Sequence, residues 1–185
     1  MGREKPLQTV GGVPLVERVA TALRPCVEEI LLVTNRPDLY EFLGLPVVED
    51  VVAGRGPLGG LHAAHRKLGE TRAFVVACDY PFLEEGALRR ILSEDPVGGV
   101  VLPHIDGHPH PLCALYAPEA LAGAKDALDR GELMLMSLVG RLPQTIVPQS
   151  ELGGPDASRI FFNANTPADI ARAEEILAAS EPRQR

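Results

Sequence analysis

Asp79 follows "AFVVAC", the most apolar run of strand length in the chain, and Pro81 stops that run two residues later. The same placement recurs with Asn35 after "EILLVT", Glu49 and Asp50 after "PVV", and Asn163 and Asn165 after "RIFF". Asparagine occurs only three times in 185 residues, and all three copies fall in this set. Carboxylate and amide oxygens at one rim suit a hard cation such as Mg²⁺, which takes few protein ligands and completes its sphere with water and substrate phosphates. A metal–nucleotide site is the chemistry such a set could support. Each residue taken alone is equally a turn former, because Asp and Asn side chains satisfy nearby backbone groups after a strand. Asp79 stands apart through the strength of the strand before it.

A shared rim requires strands that alternate with helices, and the hydrophobic pattern predicts that rhythm. Helices are expected over 14–23, 38–43, 58–67, 84–92, 118–129 and 134–142, with strands over 29–34, 46–49, 73–78, 99–103, 112–116, 145–147 and 160–162. "HIDGHPH" reads as a polar loop facing a substrate, and "SELGGPDAS" as a connecting loop. The last helix carries its own start signal: Thr166 as cap, Pro167 at the first position and Asp169 completing a box. Such a succession implies a largely parallel sheet covered on both faces, with ligands bound beyond the carboxyl ends of the strands. No repeat or linker divides the chain, so residues 1–185 are expected to form one domain.

Several function classes are disfavoured. A formal charge of −7 without any basic, aromatic-interleaved patch argues against nucleic acid and anionic lipid as partners. No apolar run approaches the ~20 residues that span a bilayer, and no leader pattern is present, so a cytoplasmic protein is expected. Cys26, Cys78 and Cys113 are widely spaced in apolar surroundings and read as buried thiols rather than a zinc site or disulfide framework. His104, His108 and His110 lack rigid zinc-site spacing. His62 and His65, one helical turn apart, read as surface residues, and "MLM" at 134–136 as core. "GRGPLGG" is either a plain connection or a glycine-lined wall approached by a base or sugar. Neither GxxxxGK[ST] nor a GxGxxG after a strand is present.

Taken in order, "MGREKPL", "EDVVAGRGPLGGL", "CDYPFL", "HPLCALY" and "FFNANTPADI" resemble the motif set of the molybdenum cofactor guanylyltransferases over nearly the whole chain. The resemblance implies a Rossmann-like, three-layer α/β nucleotidyltransferase fold of the nucleotide-diphospho-sugar transferase type. It implies transfer of GMP from Mg-GTP to molybdenum-molybdopterin, with release of pyrophosphate. By position, Lys5, one of only three lysines beside 15 arginines, contacts the GTP phosphates, with Arg3 assisting. Asn35 and Asp50 line the nucleotide pocket, Asp79 ligates Mg²⁺, and Asn163 and Asn165 face the pterin phosphate, one of them available to the metal.

In that family a strand and a loop resembling LAGGxSxRMG come first, and only Met1 and Gly2 of this pattern are present. The expectation is a chain whose first strand, central in the family's sheet, is missing and whose natural product is longer. Two other functions follow from the same motifs: cytidylyl transfer to the same pterin, and a non-catalytic nucleotide- or pterin-binding protein. "GPLGGL" favours guanine. The expected partners are GTP and molybdenum-molybdopterin, with transient contact to molybdenum cofactor carriers or acceptor enzymes by family analogy.

Overall fold

The structure, a computed structural model, describes residues 5–49 and 54–180. Arg3 and Asp50, two of the nucleotide-pocket expectations, lie outside the described residues. A 3₁₀ turn at Lys5–Leu7 leads into a short antiparallel hairpin of β1 (Thr9–Val10) and β2 (Val13–Pro14). Gly11 and Gly12, both at positive φ, form its turn. Helix α1 (Leu15–Leu23) buries Leu15, Val16, Val19, Ala20 and Leu23, an apolar stripe at helical spacing. Strands β3 (Leu32–Val33) and β4 (Val47–Val48) pair in parallel across two 3₁₀ turns, Pro37–Leu39 and Glu41–Leu43.

Helix α2 (Gly56–Leu68) precedes β5 (Ala73–Val76), and α3 (Glu85–Leu92) precedes β6 (Val100–Ile105). Strands β7 (His108–Pro109) and β8 (Cys113–Tyr116) return antiparallel, followed by α4 (Pro118–Asp129) and α5 (Leu135–Val139). Then come β9 (Gln144–Pro148), α6 (Ala157–Ile160) and α7 (Pro167–Ser180). The main sheet runs β5-β8-β6, with β9 parallel to β6 on its other side and β7 extending the ladder at the far end of β6. β5, β6 and β9 share one direction and β8 opposes them, so the sheet is mixed. Among the described residues β3 pairs only with β4, and β5 only with β8.

Strand periodicity sorts the core into two layers. Val101, Ile105, Cys113, Leu115 and Val147 face α1, α3 and α6, where Leu88, Ile91 and Ile160 pack. Their neighbours Val100, Leu102, Ala114 and Tyr116 face Leu58, Leu61, Leu121 and Leu138 of α2, α4 and α5. Helices on both faces of one sheet make a three-layer α/β arrangement.

Several local expectations are corrected. Met134 and Met136 are exposed, so only Leu135 of that stretch is core, and Cys26 and Cys78 are half-buried while Cys113 is buried. "RIFF" is not a strand: Ala157, Ile160 and Phe161 are buried at the i, i+3, i+4 spacing of a helical turn, which α6 forms. "HIDGHPH" is not an irregular loop: Asp106 and Gly107, at φ 51° and 78°, make the tight turn that pairs Ile105 with His108.

The start of α7 forms as its residues dictate. Thr166 Oγ1 accepts the Asp169 N–H at 3.2 Å, and Asp169 Oδ2 accepts the Thr166 and Asn165 N–H groups at 2.8 and 3.0 Å. The Thr166 hydroxyl and these amides hold the Asp169 carboxyl below its ordinary value. A depressed carboxyl contributes stability that is complete above its ordinary titration range and disappears as pH falls through the folded-state value. Asp169→Asn is therefore expected to lower the melting temperature at neutral pH. The gap from the parent chain should close on acidification, which melting curves across pH would test; a gap that widens in acid contradicts the cap's role.

Candidate active site

Asp79 lies in the turn just beyond β5, with its side chain 11% exposed. The backbone C=O of Asp79 accepts the Ala164 N–H at 2.8 Å, which clamps the segment 163–165 against the strand end. From the amino-terminal 3₁₀ turn, Lys5 Nζ reaches Asp79 Oδ2 at 2.7 Å and also donates to Asn165 Oδ1. Residues separated by 74 and 160 positions thus share one ammonium. Lys5 remains 35% exposed and within reach of a ligand.

Among the described residues, Asp79 Oδ1 is buried with no hydrogen-bond partner, as is Asn163 Oδ1. An ionised carboxylate oxygen left unpaired in the interior is costly unless something else neutralises it. Among the described residues no group of three His, Cys, Asp or Glu side chains is arranged to hold a metal. A divalent cation here would rest on Asp79, amide oxygens and substrate phosphates, the sparse protein sphere that Mg²⁺ accepts. The orphaned Asp79 oxygen fits that group.

Cys78 adjoins Asp79 but is no nucleophile. Burial, with the Asp79 charge beside it, pushes its thiol up to about 11, so the reactive thiolate is scarce at neutral pH. Asn35 occupies the exposed bend after β3. A Cβ added at Gly60 of α2 would meet only Val33, at 4.0 Å, so close packing does not require glycine there and the surface stays open.

Sequence reading missed the neighbour of this group. Tyr80, 3% exposed, directs its hydroxyl to His110 Nδ1 at 3.2 Å, and His110 packs edge-on against Phe161 with centroids 5.5 Å apart. The available signal was Asp106-Gly107, whose turn fixes the hairpin and carries His110 back toward β5.

Comparison with known proteins shows the family and the fold. Residues 1–145 match the family described as a MobA-like NTP transferase domain. A "Probable molybdenum cofactor guanylyltransferase" of Pelotomaculum thermopropionicum is 31% identical over 97% of this chain and 88% of that protein. The crystal structure of molybdopterin-guanine dinucleotide biosynthesis protein A from Archaeoglobus fulgidus superposes with a TM-score of 0.80 at 30% identity, covering 96% of this chain and 92% of that one. The 2-C-methyl-D-erythritol 4-phosphate cytidylyltransferase of Thermus thermophilus shares the fold, with a TM-score of 0.68 at 18% identity over 96% and 95% of the two chains.

Proposed function

The chain belongs to the MobA-like NTP transferase domain family and is a nucleotidyltransferase, and from that premise we propose that it transfers GMP from GTP to the phosphate of molybdenum-molybdopterin. The observation that carries this reading is the convergence of Lys5, Asp79 and Asn165 on one set of bonds. The relatives named as guanylyltransferases and molybdopterin-guanine dinucleotide proteins support guanine as the base.

An oxygen of the pterin phosphate bonds to the α-phosphorus of GTP while the bond from that phosphorus to the β-bridging oxygen breaks. Pyrophosphate leaves with the electron pair. The attacking group is already anionic, so no general base is needed, and positioning with charge stabilisation suffices. Lys5 is the mobile positive charge: part-exposed, it shares its ammonium between Asp79 and the triphosphate. Asn165, whose oxygen Lys5 engages, turns its NH₂ toward the anionic pterin phosphate. Asp79 Oδ1 would hold Mg²⁺, which when bound neutralises charge on the triphosphate. Asn35 and Asp50 complete the nucleotide side. Among the described residues no helix is long and apolar enough to cross a membrane, and both proposed substrates are small molecules.

The test is pyrophosphate release with molybdenum-molybdopterin and either GTP or CTP. GTP is expected to exceed CTP by at least ~100-fold in kcat/KM, because a site hydrogen-bonded to one base leaves polar groups unpaired with the other. A preference for CTP would establish the cytidylyl alternative, and release with neither would leave a binding protein.

A further inference from the structure

Lys5 holds the very acceptors that a metal ion would need. Its ammonium is bonded to the Asp79 carboxylate at 2.7 Å and to the Asn165 amide oxygen, and a hard cation favours both kinds of oxygen. The other oxygen of the same carboxylate, Asp79 Oδ1, is buried and has no hydrogen-bond partner among the described residues. One ammonium therefore balances a carboxylate whose side chain is only 11% exposed.

Two cations do not share one carboxylate freely. A divalent ion arriving at Oδ1 meets a positive charge already bonded to Oδ2, and at a mostly buried carboxylate water screens that repulsion only in part. A triphosphate changes the balance. Lys5 is 35% exposed and enters from a 3₁₀ turn that contributes no buried residue, so its flexible side chain can swing to an anion without disturbing the core. When phosphates draw the ammonium away, Asp79 Oδ2 and the Asn165 oxygen are released together. Oxygens that were closed to a cation then attract one.

We propose that Lys5 selects the metal–nucleotide complex over the free ion: it keeps the Asp79 and Asn165 oxygens closed to a divalent cation until a triphosphate takes its charge. The coupling is reciprocal, so metal and nucleotide each raise the affinity of the site for the other. This rests on the metal reading of Asp79 given above.

Mn²⁺ binding to the whole chain without nucleotide, measured by the loss of the free-ion paramagnetic resonance signal, tests this independently of turnover. Lys5→Met keeps much of the side chain and removes the charge, and it is expected to tighten Mn²⁺ at least about tenfold over the parent. Lys5→Gln, which can still donate to Asp79 but carries no charge, should tighten it as well. Lys5→Arg leaves a cation on Asp79 and should stay within about threefold of the parent. Thermal melts of the same samples give a second reading: at equal Mn²⁺, the ion should raise the melting temperature of Lys5→Met more than that of the parent, because stabilisation follows occupancy. Asp79→Asn added to Lys5→Met should abolish both gains. Equal affinity in the parent, Lys5→Met and Lys5→Gln, or tightening by Lys5→Arg as large as by Lys5→Met, would overturn the selection by Lys5, and weakened binding in Asp79→Asn would leave the metal reading intact. Mn²⁺ binding that Asp79→Asn does not change, or that no variant shows, would overturn both.

Discussion

Asp79→Asn is expected to lower kcat for guanylyl transfer by about 10³-fold, the upper end of what one preorganised electrostatic group contributes. The substitution is nearly isosteric and removes only charge. The asparagine can offer Lys5 an oxygen, but its other end becomes a buried NH₂ where Asp79 Oδ1 had faced inward unpaired. A cation site becomes a site that repels cations. Lys5 keeps Asn165 and partial exposure to water, so its charge is not stranded. The backbone bond from Ala164 to the Asp79 carbonyl is untouched. Stability should therefore change by only about 1 kcal/mol, the scale of a partly exposed ion pair. Pyrophosphate release and a thermal melt on the same preparation separate the two effects. Transfer within tenfold of the parent, or collapse of the fold with the activity, would remove Asp79 from the role assigned to it.

The position of Asp79 was legible because a strongly apolar strand and a proline give an unambiguous boundary, and the fold buries that strand's neighbours as the pattern demands. The start of α7 was legible for the same kind of reason, since Thr166, Pro167 and Asp169 form a local device that needs no tertiary partner. Residues 160–162 were not. Three apolar residues fit a strand and a helical turn equally well, and the decision belongs to Ala157, one turn earlier, which buries with Ile160 and Phe161. The hairpin of β1 and β2 escaped because two-residue strands leave no periodicity to read, although Gly11 and Gly12 marked its turn.

The site divided along the same line. Asp79 and Asn165 are visible at the rim from short stretches of sequence, whereas Lys5 enters only through the family resemblance. Their hydrogen bonds join segments 74 and 160 residues apart, and no local pattern specifies which oxygen of Asp79 the lysine takes or which stays unpaired. The Tyr80–His110 contact likewise depends on the hairpin of β6 and β7 turning back at Asp106 and Gly107. Polarity within the site is a tertiary result, even where the participants are visible in advance.

Gly99→Ala is the change expected to damage the fold most for one methyl group. Its φ is not in the left-handed region, so conformational freedom is not what glycine supplies here. A Cβ would lie 2.0 Å from the Pro143 carbonyl oxygen and 2.8 Å from its carbonyl carbon, inside the backbone of the segment that begins β9. Relief by rotating a side chain is impossible, because the obstacle is main chain. Gly99 itself is held by its N–H to Pro96 and its C=O to Ala117, and Val100 donates to the same Pro143 oxygen at 3.0 Å. Moving Pro143 away breaks that bond and strains the register that pairs Val100 with Gln144 and Val101 with Thr145. Overpacking with a lost buried hydrogen bond amounts to about 3 kcal/mol, a large share of the ~5–15 kcal/mol that stabilises a domain of this kind. The melting temperature should fall by about 6–12 °C. Gly86→Ala is the matched control: in α3 its added Cβ meets nothing within 4 Å, and replacing a helical glycine with alanine should hold or raise stability by up to about 1 kcal/mol. Because Gly99 is remote in sequence and bonding from Lys5 and Asp79, the folded fraction of Gly99→Ala should transfer GMP at the parent rate well below its melting point. An unchanged melting temperature would mean that the turn before β6 and the approach to β9 are looser than the packing of Gly99 on Pro143 implies.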